Sequence, residues 1–193
     1  MSDAKTAIER ALSAARSTID SIGEQAAIIE RMADRIVRAF SDGKKVMFIG
    51  NGGSAADAQH AAAELVGRLG LGVERKPLPA LALTTDTSAI TAIANDFGFE
   101  NIFARQIEAI AQPGDVLVCI STSGTSHNIL SAARSAIDIG CTVLSLTGGD
   151  ESPLSEKSDI CLRIEGDNTP RIQEGHEIAL HILCELVESK FAG

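Results

Sequence analysis

The sequence predicts a three-layer α/β fold in which helices cover both faces of a five-stranded parallel sheet. Three observations lead to this prediction. Short apolar runs alternate with longer helical patterns along the chain. The runs are apolar throughout instead of alternating with polar residues, which is typical of strands buried on both faces. Small polar residues follow several of the runs, and ligands of such sheets bind beyond the carboxyl ends of the strands.

The elements follow in order along the chain. A long N-terminal helix is predicted over residues 4–40, with a break near Gly23, because apolar residues recur at spacings of three and four. Its apolar face exceeds what one small domain needs, so the helix packs either on a partner subunit or on its own sheet. The predicted strands are 46–49, 80–83, 116–120, 142–146 and 160–164. The remaining helical patterns cover 55–68, the stretch after 86 through 110, the stretch after 126 to 139, a loop with room for a short helix, and 171–189.

We expect residues 1–193 to form one domain, with an N-terminal helical segment at 1–43. The chain has 193 residues, which suffices for one buried α/β core and is short for two. Hydrophobic residues make up 45% and charged residues 22%, an ordinary globular composition. No internal repeat, low-complexity tract or proline-rich linker divides the sequence.

The composition also limits which partners and which compartment are expected for this chain. The formal net charge of −9 and the absence of Trp and Tyr argue against direct nucleic-acid binding, because a polyanion is repelled and bases lack aromatic platforms. The four cysteines form no CxxC pair and suit buried apolar positions in a reduced compartment. No signal-peptide core and no apolar stretch of about 20 residues is present. We therefore expect a cytoplasmic protein with no membrane contact.

Two strand-to-helix turns have the composition of phosphate-binding loops. The first, at 121–126, carries five hydroxyl residues, whose side chains and backbone N–H groups can surround a phosphate at a helix N-terminus. An ordinary capped turn is the alternative, since Ser and Thr favour N-caps. The second, Gly50-Asn51-Gly52-Gly53-Ser54, allows close backbone approach but matches neither a Walker loop nor a dinucleotide fingerprint. Together they indicate a phosphorylated ligand rather than a nucleotide.

Two helical segments carry side chains suited to a metal ion. His60 and Glu64 are spaced i, i+4 and share one helix face. The C-terminal helix carries Gln173 and His181, with other polar residues between them. Such a set fits Zn²⁺, with Mn²⁺, Ni²⁺ and Co²⁺ as alternatives. Gln173 and His181 would lie about 12 Å apart on a continuous helix, so they share an ion only if both reach along the axis, if the helix begins after Gln173, or if different subunits contribute them.

These motifs, in their order and spacing, resemble the phosphoheptose isomerases, which have the SIS (sugar isomerase) fold, a flavodoxin-like arrangement. The resemblance runs from about residue 44 to the C-terminus. It rests on the 50–54 and 121–124 turns, on 95–98, and on 171–174 with His181. It implies isomerisation of sedoheptulose 7-phosphate to D-glycero-D-manno-heptose 7-phosphate, for activated heptose biosynthesis. It further implies a homotetramer with sites at subunit interfaces and one Zn²⁺ per subunit.

The resemblance also implies residue roles. The implied zinc ligands are His60, Glu64, Gln173 and His181. The implied substrate contacts are Asn51, Gly52, Gly53, Ser54, Glu64, Asn95, Asp96, Ser121, Thr122, Ser123, Ser126 and Gln173. For the enediol route that a ketose–aldose isomerase needs, we predict Glu64 as the carbon base and His181 as the acid.

Several residues and functions stay open at this point. Asp86 is an N-cap or a pocket wall, His127 is solvent-facing or a phosphate contact, and His176 supports the site or packs on its helix. Asp167 lies in a loop where some family members use an acidic residue, and it receives no role. The competing functions are a non-catalytic module resembling the replication-initiator-associating protein, an isomerase of another sugar phosphate, and a SIS-type transcription regulator. The last would need a DNA-binding module that the N-terminal segment is too short to supply.

Overall fold

The computed structural model describes residues 3–72 and 74–192, and its centre is a parallel sheet of five strands. The strands are β1 (Val46–Gly50), β2 (Ala80–Ala82), β3 (Val116–Ser121), β4 (Thr142–Gly148) and β5 (Ile160–Ile164). Their order is β2-β1-β3-β4-β5, and every neighbouring pair is parallel. The predicted parallel sheet and its flavodoxin-like order are confirmed. The order reverses between β1 and β3, which is where such sheets open a ligand crevice.

Helices cover both faces of this sheet. They are α1 (Ala4–Glu24), α2 (Ala26–Ser41), α3 (Gly53–Val66), α4 (Thr87–Phe97), α5 (Ala104–Ile110), α6 (His127–Ile139), α7 (Pro153–Lys157) and α8 (Thr169–Ser189), with a 3₁₀ turn at Phe99–Asn101. Alternate strand residues point to opposite faces. Phe48 and Val118 therefore join the core under α2, α3 and α8, while Ile49 and Cys119 join the core under α5 and α6.

The long N-terminal helix is divided at Gln25, two residues beyond the predicted break. Gly23 stays inside α1. The Gln25 side-chain amide donates to the backbone carbonyl of Arg163 on β5, and its carbonyl oxygen accepts from the Arg163 N–H at 3.3 Å. This reciprocal pair ties the junction of α1 and α2 to the outer strand. A sequence pattern contains no signal for such a long-range contact.

The first half of α1 has little contact with the rest of the chain. The helix buries Thr18, Ser21 and Ile22, all in its second half. Ile8 and Leu12 keep 60% and 51% of their surface exposed. Of the two packing alternatives for this helix, attachment to its own sheet therefore holds only for its C-terminal part.

Three of the four cysteines lie in buried positions as predicted, and Cys161 is half-buried. All four cysteines are free thiols, and Cys119, Cys141 and Cys184 are buried. Among the described residues, no helix combines the length and the apolar character that a membrane span needs.

Candidate active site

The hydroxyl-rich turn between β3 and α6 forms a small cleft at the carboxyl edge of the sheet. Its volume is about 70 Å³, and its lining is Asn51, Ser54, Ile120, Ser121, Thr122, Ser123, Ser126 and Gln173. Ser121 Oγ accepts from the Gly124 N–H at 3.2 Å, and Ser123 Oγ accepts from the Thr125 N–H at 3.3 Å. The turn is thus held by its own hydroxyls, at the N-terminus of a helix of 13 residues. A phosphate fits this place because the helix end supplies backbone donors and positive potential.

The glycine loop after β1 forms the other side of the cleft. Gly52 has φ +56°, a left-handed conformation that favours glycine. A Cβ on Gly53 would lie 2.7 Å from Gln173 Nε2, so the end of this α8 side chain lies directly against the loop. The backbone conformation therefore explains the glycine at 52, whereas the end of the Gln173 side chain can move away from a Cβ at 53.

Two facing imidazoles form a second cluster, between α3 and α8. His60 Nε2 lies 2.8 Å from His181 Nε2, and the rings meet edge to face with centroids 4.8 Å apart. Glu64 follows one turn after His60 on the same face, and its Oε1 is 3.6 Å from His60 Nε2. The i, i+4 spacing thus places a carboxylate beside a pair of converging nitrogens.

Gln173 is separate from this cluster. Since α8 begins at Thr169, the alternative that the helix begins after Gln173 is wrong. Asn168 caps the helix by accepting from the Arg171 N–H, and so places Gln173 in its second turn. Within residues 3–72 and 74–192, no three His, Cys, Asp or Glu side chains are arranged as a metal site. The predicted ligand set is therefore only partly brought together by one chain.

Comparison with known proteins places this geometry in a family. The family model described as SIS domain matches residues 12–148. A phosphoheptose isomerase from Geotalea daltonii is 52% identical over 183 residues, 92% of each chain. The structure of the Neisseria gonorrhoeae phosphoheptose isomerase has 38% identity and a TM-score of 0.84 over 94% of this chain and 98% of that one. The Francisella tularensis phosphoheptose isomerase structure has 36% identity and a TM-score of 0.89 over 97% and 99%.

The chain belongs to the phosphoheptose isomerase family of SIS-domain proteins. The resemblance inferred from the motifs is confirmed, as is the fold that it implied.

One feature of this family member that sequence reasoning missed is the partner of Asn51. The amides of Asn51 and Asn128 exchange two hydrogen bonds, of 2.9 and 2.8 Å. Asn128 is buried, and its Oδ1 also accepts from the Ile129 N–H in the first turn of α6. The pair joins the residue after β1 to the first turn of α6, the helix that follows β3, at the point where the strand order reverses. Its only signal in the sequence is an amide two residues after the hydroxyl-rich turn.

A second missed residue is Asp57, one turn before His60 on α3. Burial, together with the charge of Glu177 on α8, raises the pKa of its carboxyl to about 6, although His60 opposes this. Among the described residues, Asp57 Oδ2 has no hydrogen-bond partner. The spacing Asp57, His60, Glu64 on one helix face could have revealed it.

His176 is fully buried behind the site. Its Nε2 lies 3.1 Å from the Thr147 carbonyl, at the end of β4. Burial lowers the pKa of the imidazole to about 4, although the hydrogen bond to Thr147 opposes this, so the ring is neutral at pH 7. The contact holds this part of α8 against the end of β4.

The remaining predicted residues are dispersed. Asn95 and Asp96 lie exposed at the end of α4, where the Asn95 amide donates to Asp96 Oδ1 at 2.7 Å, outside the cleft. Asp86 is the N-cap of α4 and accepts from the Ala89 N–H. His127 is exposed, in agreement with the solvent-facing alternative. Asp167 lines a separate cleft of about 330 Å³ beside α1.

Proposed function

We propose that this chain isomerises sedoheptulose 7-phosphate to D-glycero-D-manno-heptose 7-phosphate, for activated heptose biosynthesis. The observation that carries the proposal is the placement of the His60–Glu64–His181 cluster on the same pair of helices, α3 and α8, whose N-terminal ends border the hydroxyl-rich cleft. Family membership supports the substrate, because relatives at 47–52% identity are named phosphoheptose isomerases. The same names do not favour a protein-binding module.

The residues suit the two proton transfers of a ketose–aldose isomerisation. The cleft would hold the phosphate through the hydroxyls and N–H groups of 121–126, with the sugar extending toward α3 and α8. Glu64 would take the proton from C1 of the ketose and return it to C2, and His181 would transfer the proton between the two oxygens through its ring nitrogen. The neutral His176 and the Asn51–Asn128 pair would keep the surrounding backbone in place.

The donor set fits a divalent ion chemically. His60 Nε2 lies 2.8 Å from His181 Nε2 and 3.6 Å from Glu64 Oε1, and imidazole with carboxylate is a ligand combination typical of Zn²⁺. We propose His60, Glu64 and His181 as ligands and Gln173 as the fourth, supplied along the helix or from another subunit. When bound, the ion would polarise the substrate carbonyl.

The activity is tested by incubating purified protein with sedoheptulose 7-phosphate and following the sugars by NMR. We expect the aldoheptose 7-phosphate to form until equilibrium is reached, because both proton transfers have a positioned group. Arabinose 5-phosphate and glucosamine 6-phosphate serve as competing substrates. Turnover of either of these, with none of the heptulose phosphate, would reject the proposed substrate.

We further propose that the chain assembles into a homotetramer. A cleft of about 590 Å³ lies between α1, α2 and α8, and its lining is mostly apolar: Ile19, Ile22, Gly23, Ala26, Ala27, Ile29, Glu30, Ile178, Ile182 and Leu186. It is continuous with α1, where Ile8 and Leu12 are exposed. Apolar area of this kind on a helix that its own sheet leaves uncovered favours a second copy as the occupant.

Light scattering tests the assembly. We expect four times the chain mass of 20.2 kDa for the wild-type protein and a smaller assembly for the double variant Ile8→Asp, Leu12→Asp. Arg10→Asp is the matched control, because Arg10 is exposed on the face of α1 opposite Ile8 and Leu12 and its replacement makes the same change in charge. A monomeric wild-type protein, or an unchanged mass for the double variant, would contradict the proposed interface.

A further inference from the structure

A buried ion pair lies at the C-terminal ends of the two helices that carry the candidate site. Arg75 Nε donates to Glu188 Oε1 at 2.8 Å, and the two side chains are 1% and 6% exposed. Glu188 is on α8, and Arg75 belongs to the connection between α3 and β2. Neither residue belongs to the sites described above. A buried pair of this kind is costly to desolvate, so it needs further hydrogen bonds.

Those hydrogen bonds go to the end of α3. Arg75 Nη2 donates to the Glu64 carbonyl at 2.7 Å, and Nη1 donates to the Leu65 carbonyl at 2.9 Å. The last carbonyls of a helix have no partner within it, and a cation there also stabilises the helix dipole. The last turn of α3 has no basic residue of its own. Arg75 therefore caps α3 from outside, at the backbone of the predicted catalytic base.

Glu188 fixes the other side of the same junction. Its carboxylate accepts from the N–H groups of Leu69 and Gly70, at 3.1 and 2.8 Å. Burial alone would raise the pKa of this carboxyl, but the two N–H donors and the Arg75 guanidinium outweigh burial and hold the pKa below its ordinary value. Glu188 is thus ionised at neutral pH, and it anchors the chain that leaves α3.

The pair sets how α3 and α8 lie against each other. Contacts between the two helices follow one another from their N-terminal to their C-terminal ends. Gly53 faces Gln173, His60 faces His181, and the Ala61 carbonyl faces Cys184 Sγ at 3.9 Å. Glu188 stands two turns beyond His181, about 10 Å along the axis. A slide or rotation of either helix would change the 2.8 Å separation of the two imidazole nitrogens.

We propose that Arg75 and Glu188 are positioning residues that hold Glu64 and the His60–His181 pair in register across the α3–α8 interface. The part of this proposal that concerns turnover rests on the proposed function. The part that concerns the two imidazoles does not.

The test compares Arg75→Lys and Glu188→Gln with a control of equal burial. Lysine keeps the charge but cannot donate to Glu188 and to both α3 carbonyls in the planar fork of arginine. The control is Asp115→Asn, which weakens the Lys45–Asp115 pair, 2.5 Å long with Asp115 1% exposed, at the amino edge of the sheet. Each variant is studied below its unfolding transition. The readouts are kcat, KM and the imidazole ¹⁵N signals of the metal-free protein, which has four histidines.

We expect all three variants to unfold at a lower temperature than the wild type. Only Arg75→Lys and Glu188→Gln should lower kcat, by 10- to 100-fold, since misplacement by about 1 Å has effects of this order. KM should change less than about threefold, because the hydroxyl-rich cleft does not contact the pair. The signals of His60 and His181 should shift in these two variants and stay in place in Asp115→Asn.

If kcat and the imidazole signals of both variants match those of Asp115→Asn, the pair is a stabilising contact only, and the positioning role is wrong. If the wild-type protein does not turn over the heptulose phosphate, the proposed function fails, and the imidazole signals alone decide on the positioning role. Glu188→Gln preserves the size and shape of the side chain. If Arg75→Lys does not fold, Glu188→Gln alone tests the positioning role.

Discussion

Replacing Glu64 by glutamine should lower kcat by at least about 10²-fold, because the amide has no proton-accepting oxygen of comparable basicity. The amide keeps the shape of the side chain and a neutral oxygen beside His60, so binding of substrate should suffer much less. Both kcat and KM are obtained from initial rates of aldoheptose phosphate formation. The metal content of each preparation is measured in parallel, since Glu64 is also a proposed ligand.

The matched control for this substitution is Glu185→Gln. Glu185 is exposed on α8, one turn beyond His181, and its change removes the same charge from the same region. We expect its kcat to stay within about twofold of the wild type. A fall of less than about tenfold in Glu64→Gln would rule out the carbon-base role.

Removal of the divalent metal by a chelator should lower turnover about as much as Glu64→Gln does, and added zinc should restore it. His60→Gln should weaken zinc binding by on the order of 10²-fold or more, because one of two converging nitrogens is lost. Calorimetric titration of the metal-free protein measures this affinity without reference to activity. His127→Gln is the control, because that imidazole is exposed at the start of α6 and away from the pair.

Full turnover in protein that holds no metal would reject the metal proposal. The 2.8 Å approach of His60 Nε2 and His181 Nε2 would then be a hydrogen bond between two imidazoles, one of them donating. In that case His181→Gln should still lower kcat, and it should do so with no change in metal affinity to explain it.

Strands were the most predictable part of this molecule. A short, wholly apolar run between helical patterns has few other structures open to it, and each predicted strand coincides with an observed one to within two residues at either end. Helix starts were less predictable. Thr169 precedes the predicted start of α8 because Asn168 caps the helix, and α3 begins at Gly53 because Gly52 takes a left-handed conformation.

Contacts between distant residues were beyond the reach of sequence patterns. The Asn51–Asn128 pair spans 77 positions and the Arg75–Glu188 pair spans 113. Nothing in the local composition around either residue marks its partner. His60 and His181 could be named because their family motifs are known, but their direct approach depends on how α3 and α8 pack. That packing is a property of the whole core.

The groups that suit phosphate binding and the groups that suit proton transfer lie on different kinds of structural element. The hydroxyls that suit a phosphate lie on a turn after β3, whereas the imidazoles and the carboxylate lie on two helices fixed by the core. Turns tolerate substitutions and changes of length far better than packed helices do. Selection for activity on shorter or longer sugar phosphates should therefore keep the hydroxyls of 121–126, which suit the phosphate that all of them carry, and accumulate changes in the other turns at this edge of the sheet. The proton-transfer machinery should be inherited intact, so that new specificities can arise in this scaffold without reinventing its reaction.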